Sequence, residues 1–170
     1  MSELDTAALI LRVVAGLTMA AHGYNHVLGG GGLAGTTRWF AAMGLRPARM
    51  HALLSGAGEL ACGTGLLIGL LAPLCAAFIV GTMAVAGIAV HRKNGFFVFK
   101  DGYEYVLLLA VVSVVIGVLG PGRISVDHVL GLDDPLDGAA GAALAAGAGL
   151  LGAALLLAVC WRPARAADDS

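Results

Sequence analysis

ALLSGAGELACGTGLLIGLLAPLCAAFIVGTMAVAGIAV, residues 52–90, carries one charge, Glu59, and its reading decides the fold. At about 1.5 Å per residue, a helix of this length overshoots a hydrocarbon core of about 30 Å, so the stretch is too long for one crossing. Pro73 divides it. Proline suits the first turn of a helix, where its missing N–H would lack a partner anyway. A tight hairpin is therefore expected at residues 71–74, between spans at 52–71 and 73–91, the latter stopped by His91, Arg92 and Lys93.

Working outward, the rest of the chain has the same character. Apolar residues make up 59% of the 170 and charged residues 12%, with a mean hydropathy of +0.89, whereas about a quarter of an average soluble chain is charged. An all-α integral membrane protein is implied, and its spans leave no room for a separate soluble catalytic domain. After the acidic Glu3 and Asp5 at its start, where a signal would have a positive n-region, the stretch over residues 4–23 contains a single further charge, Arg12, so it reads as a retained span and not a secretory signal. A fourth span runs over 102–119 and ends at Gly120-Pro121-Gly122, and a fifth, over 138–161, is mostly Ala, Gly and Leu. The expected architecture is a four-helix transmembrane bundle within residues 1–128, an acidic extracytoplasmic loop at 129–137, an additional fifth C-terminal transmembrane helix at 138–161 and a short cytoplasmic tail at 162–170.

Lys and Arg accumulate in cytoplasmic loops. With five spans, Arg38, Arg46, Arg49, Arg92, Lys93, Lys100, Arg162 and Arg165 share one side, against Arg123 alone on the other. The N-terminus is thus expected outside and the C-terminus in the cytoplasm. A formal charge of −1 argues against nucleic acid, which demands a basic surface. The loop after the first span contains G-x-G-x-x-G at Gly30, Gly32 and Gly35, but a span precedes it instead of a strand, so it reads as a flexible linker and not a dinucleotide fingerprint. Beyond it, Trp39, Phe40 and Met43 recur at helical spacing beside Arg38, the pattern of a short helix lying on the cytoplasmic leaflet over residues 36–43.

Polar residues in apolar spans face the bundle interior and pair, because an unpaired charge in hydrocarbon costs at least about 2.5–3.5 kcal/mol. Counted from the expected span ends, Arg12 and Glu59 fall at similar depth and predict an ion pair, which serves either helix registry or a ligand head group. Nearer the cytoplasmic surface, the ends of four helices bring together His22, His26, His51, His91 and Glu104. Imidazoles there suit a quinone carbonyl, proton movement or a metal or haem. His22 and His26 have i, i+4 spacing but no matched pair on another helix, so no metal site is assigned. Cys62, Cys75 and Cys160 are scattered, without C-x-x-C, and read as small buried apolar groups. Ala61, Gly65 and Gly69 mark a close helix contact; Ala145, Gly149 and Ala153 in the fifth span mark another, within the chain or in a homo-oligomer.

Taken in order, several fragments resemble the DoxX family of small bacterial membrane proteins. They are Arg12 and Gly16 followed by His22-Gly23, Gly58-Glu59, His91 then Gly95-Phe96-Phe97, Gly102-Tyr103-Glu104-Tyr105, and Gly120-Pro121-Gly122 leading to Ser125-Val126-Asp127. The resemblance covers about residues 7–128 and implies a four-helix core, to which the fifth helix is an addition. It also implies a link to quinone-dependent thiosulfate oxidation or to a membrane oxidoreductase complex with superoxide dismutase and a thiosulfate sulfurtransferase. The family-like positions are Arg12, His22, Glu59, His91 and Glu104. On this reading Arg12 and His22 bind an isoprenoid quinone, Glu59, His91 and Glu104 move its protons, and the chain is a redox subunit of the bacterial inner membrane. Two alternatives stand beside it: a non-catalytic anchor for soluble redox enzymes at the cytoplasmic face, and a carrier for a small solute.

Overall fold

The structure, a computed structural model, describes residues 2–132 and 137–163. It is all-helical, without strands among the described residues. In chain order the helices are α1 (Glu3–Leu28), α2 (Gly32–Ala42), α3 (Ala48–Ile68), α4 (Ala72–Asn94), α5 (Glu104–Leu119), the short α6 (Val126–Val129) and α7 (Gly138–Cys160). Four of them, α1, α3, α4 and α7, are long and apolar enough to cross a membrane. The helix α5 is apolar but has only 16 residues, about 24 Å at 1.5 Å per residue, against the ~20 residues a crossing ordinarily takes. The α4 helix ends in a π turn at Gly87–His91 and a 3-10 turn at Arg92–Asn94, and α7 contains a second π turn at Leu144–Ala148.

The expected hairpin at Pro73 is present. Gly69 ends α3 in a left-handed conformation, Leu71 follows with φ +50°, and Pro73 occupies the first turn of α4. A left-handed leucine is unfavourable by sterics. It is held here because the Asp127 carboxylate accepts both the Leu71 N–H (2.8 Å) and the Ala72 N–H (3.0 Å), capping α4 from a distant segment.

The helices α1, α3, α4 and α5 form a ring of neighbours, with α7 packed outside it against α4 and α5. Glycines set the tightest contact, between antiparallel α1 and α3. A Cβ added at Gly23 would lie 2.6 Å from the Gly56 carbonyl oxygen, and one at Gly63 would lie 2.7 Å from that of Gly16. Backbones can approach this closely only where a side chain is missing. Of the expected trio, Gly65 does meet another helix, at Cys75 of α4, but the α1–α3 seam belongs to Gly16, Gly23, Gly56 and Gly63. Ala145, Gly149 and Ala153 are buried, and Gly149 lies directly against Ala77 and Val80 of α4, so this stripe serves contact within the chain.

Met19, Leu66, Ala76, Ile79 and Ile116 form the core, while Leu4, Ile10, Val14, Leu17, Leu108, Val111, Leu151 and Val159 stand on the outside. An apolar exterior this extensive is what lipid covers. The core is uneven along the bundle: buried positions on α4 run from Ala72 to Met83, and none occurs in the π turn at Gly87–His91. Space opens at that end.

Candidate functional site

The two ends of the bundle use their polar residues differently. At the end holding the α3–α4 turn, Arg12 is fully buried and donates to the Leu66 carbonyl (3.2 Å) and the Ile124 carbonyl (2.6 Å). Asp5 accepts the Ser2 N–H at 2.7 Å as part of a capping box and the Arg123 N–H at 3.0 Å. Asp127 caps α4 as described, and its own N–H donates to the Gly69 carbonyl at 2.9 Å. The loop from α5 to α6 is thereby tied to α1 and to the hairpin.

The expected Arg12–Glu59 ion pair does not form. Both helices run longer than the apolar stretches, α1 on to Leu28 and α3 from Ala48, but these extensions nearly cancel, and it is the sliding of one helix past the other that separates the two residues. Arg12 then lies sixteen residues from the end of α1 and Glu59 eleven from the start of α3, a difference of about 8 Å. The glycine register, Gly16 opposite Gly63 and Gly23 opposite Gly56, sets the two further apart: Arg12 lies against the last turn of α3, and Glu59 faces α1 about 12 Å along it from Arg12.

At the opposite end Glu59 is 3% exposed, and its neighbours are Ser55, whose hydroxyl donates to Oε1, and His26, whose Nε2 lies 3.6 Å from Oε2. Oε2 itself has no hydrogen-bond partner. An orphaned buried carboxylate oxygen is costly and rare. His26 is held in place from α2: its ring stacks on Trp39 (centroids 5.9 Å apart), meets Phe40 edge-on, and its carbonyl accepts the Thr36 hydroxyl at 2.7 Å. Here α2 begins at Gly32, earlier than the spacing of Trp39, Phe40 and Met43 implied, and turns Phe40 inward while leaving Trp39 half exposed. His22 contacts the Tyr105 hydroxyl of α5 at 3.3 Å.

These groups line one cavity of about 860 Å³ with His51, His91, Phe78, Met83 and the α7 residues Ala148, Gly152 and Leu156. Both π turns border it, through Ala89, Val90 and His91 on α4 and Ala148 on α7. Such turns recur at functional sites because they displace a helix's backbone register locally. His91 Nδ1 lies 2.8 Å from the Asp101 carbonyl, which can only accept, so the proton sits on Nδ1 and Nε2 is left as an acceptor in the neutral ring. His51 is buried and spends its Nε2 on the Arg46 carbonyl at 3.3 Å.

Of the residues singled out in the sequence, the cavity thus brings together His22, Glu59 and His91. Arg12 belongs to the closed end. Glu104 accepts the Val98 N–H at 2.9 Å and braces the loop at 95–104 without lining the cavity. The sequence reading missed Ser55, Tyr105 and the Thr36–Trp39 clamp. Ser55 was detectable, four residues before Glu59 and so on the same helix face; Thr36 gave no signal. Cys62 and Cys75 lie within the helices and are free thiols. Among the described residues no cluster of three His, Cys, Asp or Glu side chains is placed to hold a metal.

The last element closes onto the same end. The Trp161 indole N–H donates to the Met43 carbonyl at 2.9 Å, the Arg46 N–H to the Cys160 carbonyl at 2.9 Å, and the Arg162 N–H to the Gly44 carbonyl at 2.8 Å. The end of α7 therefore lies beside the α2–α3 loop; Arg165 is outside the described residues.

Apolar helices around a one-ended polar cavity define a multi-pass membrane protein. Residues 7–92, half of the chain, match the DoxX family, and the chain belongs to it. No curated protein and no solved structure matches the chain. The match is shorter than the resemblance read from the fragments: it takes in α1 to α3 and nearly all of α4, and leaves Glu104, Tyr105 and α7 outside.

Proposed function

We propose that this DoxX-family protein is the membrane subunit of a redox system and binds an isoprenoid quinone head group in the cavity at the histidine-rich end. One observation carries the reading: the buried Glu59 Oε2, without a hydrogen bond, lines a cavity whose other walls are largely apolar. A hydroxyl of the reduced head group would donate to Glu59 Oε2, whereas a quinone carbonyl needs donors, and the ring and chain need apolar walls. His22, His26 and Tyr105 supply donors, and Phe78, Met83 and Leu156 supply walls. Reduction consumes two electrons and two protons per quinone; the electrons come from a partner redox enzyme, and Glu59, His26 and His91 pass protons inward from the loop end. Arg12 and Glu104 hold the frame around this site.

The same reading takes α5 as a short fifth span. It sets the chain in the bacterial inner membrane with the N-terminus outside and the basic end in the cytoplasm. Exposed Arg38, Arg46, Arg49, Arg92, Lys93 and Lys100 at that end favour a second role as an anchor for an acidic soluble redox enzyme. Against the carrier reading, the buried Arg12 donates to backbone carbonyls and does not line the cavity.

Mass spectrometry of the purified protein tests the proposal. Bound quinone in the wild type, depleted in Glu59→Gln and His22→Ala without loss of folding, is the expected result. A quinone-free preparation that captures soluble redox enzymes leaves the anchor role alone standing.

A further inference from the structure

The α7 helix lies outside the family match, yet it forms a wall of the cavity. Two faces of α7 differ. Gly149 presses against α4 and the buried Ala145 lies against Gly117 of α5, whereas Ala148, Gly152 and Leu156 turn to the cavity, with Gly149 and Ala153 on its border. A Cβ added at Gly152 would meet nothing within 4 Å. The cavity is continuous from this bare surface, past Ala77, Phe78 and Gly81 of α4, to Glu59 and His26. At the polar extreme sits the carboxylate oxygen without a hydrogen bond; at the other lie only small or apolar groups.

We infer that α7 builds the slot for the apolar chain of an amphiphile drawn from the bilayer, with Gly152 as the residue that keeps the slot open. An amphiphile fits because polar and apolar groups are segregated along the cavity. A compact water-soluble solute would leave the α7 half unfilled, and a plain hydrocarbon would leave the Glu59 carboxylate unmatched, which is unfavourable for a buried polar group. The inference rests on the quinone reading for the head group, but the slot is a separate claim about the chain.

Gly147 provides a matched control. It also has nothing within 4 Å of an added Cβ and lies on the same helix, but does not line the cavity. The experiment measures binding of two quinones in detergent micelles, one with a full isoprenoid chain and one with a single isoprene unit, to wild type, Gly152→Phe and Gly147→Phe. Gly152→Phe should weaken the long-chain quinone by about tenfold or more, as overfilling a site does, and leave the short one within about twofold; Gly147→Phe should change neither. Equal effects on both quinones, or none, overturn the slot while the head-group reading stands. If neither quinone binds the wild type, the quinone reading fails, and native mass spectrometry of lipid co-purified with the three proteins decides the slot. A chain-bearing amphiphile retained by wild type and Gly147→Phe but lost from Gly152→Phe upholds it; equal retention or none overturns it.

Discussion

The two ends of the bundle contain similar polar residues and use them in opposite ways. At the hairpin end Asp5, Arg12 and Asp127 are spent on backbone groups: a capping box, two carbonyls and the first N–H groups of α4. At the other end Glu59, His22, His26 and His91 surround a cavity, and one Glu59 oxygen has no hydrogen bond. Burial of charge in a membrane protein therefore does not by itself mark a site. Each end also has one buried polar atom without a hydrogen bond, Arg12 Nε and Glu59 Oε2; what distinguishes them is that Arg12 is packed against backbone whereas Glu59 borders a cavity.

Breaking the closed end should cost the most. Arg12→Leu strands the Ile124 carbonyl, leaves the Leu66 carbonyl with only the Gly69 N–H, and removes the cation near Asp127, and hydrogen bonds from a charged donor contribute about 1.5–3 kcal/mol each. A loss of ~3 kcal/mol or more is expected in denaturant unfolding in detergent; a loss under about 1 kcal/mol would mean Arg12 is not structural. Next is the seam that sets the register. Gly23→Val forces α1 off α3 and should cost about 1–3 kcal/mol, as overpacking does, seen as a lowered Tm together with easier proteolysis of the segment between them, residues 29–47, which includes α2. Asp127→Ala removes the cap of α4 and should cost about 0.5–2 kcal/mol. Asp127→Asn, which keeps one acceptor oxygen, should recover part of that in the same melt.

The smallest effects sharpen the comparison. Glu59→Gln at the open end should change stability by less than about 1 kcal/mol, since it replaces a poorly satisfied charge with a neutral group of the same shape, while ligand occupancy falls. The double substitution Arg12→Leu, Glu59→Leu should be additive to within about 0.5 kcal/mol, as for sites without a shared partner. A coupling above that in the double-mutant cycle would restore the direct pair between them.

Much of this was legible in the chain. The apolar helices, the hairpin at Pro73 and the gathering of Lys and Arg at one end follow from composition and local stereochemistry, which accumulate residue by residue. His22, Glu59 and His91 could be picked out because polar groups are conspicuous in apolar helices. Their grouping with Arg12 failed because depth counted along each helix does not show how far α1 and α3 slide past each other, which the glycine contacts set. Tyr105 and Thr36 were invisible as site residues, since nothing in a tyrosine at a helix start or a threonine after a glycine run announces what it will face.

By itself, then, the sequence determined that this is an all-helical membrane protein of the DoxX family, where its long apolar helices run and where the chain turns between α3 and α4. Tertiary structure decided which buried charge meets which partner, which end is sealed and which is open, and what the last helix faces. The reason is register. Hydropathy sums along one segment, but a partner is chosen by how far two helices slide past each other at 1.5 Å per residue. That slide is set by the few places, Gly16 and Gly63, Gly23 and Gly56, where two backbones can touch.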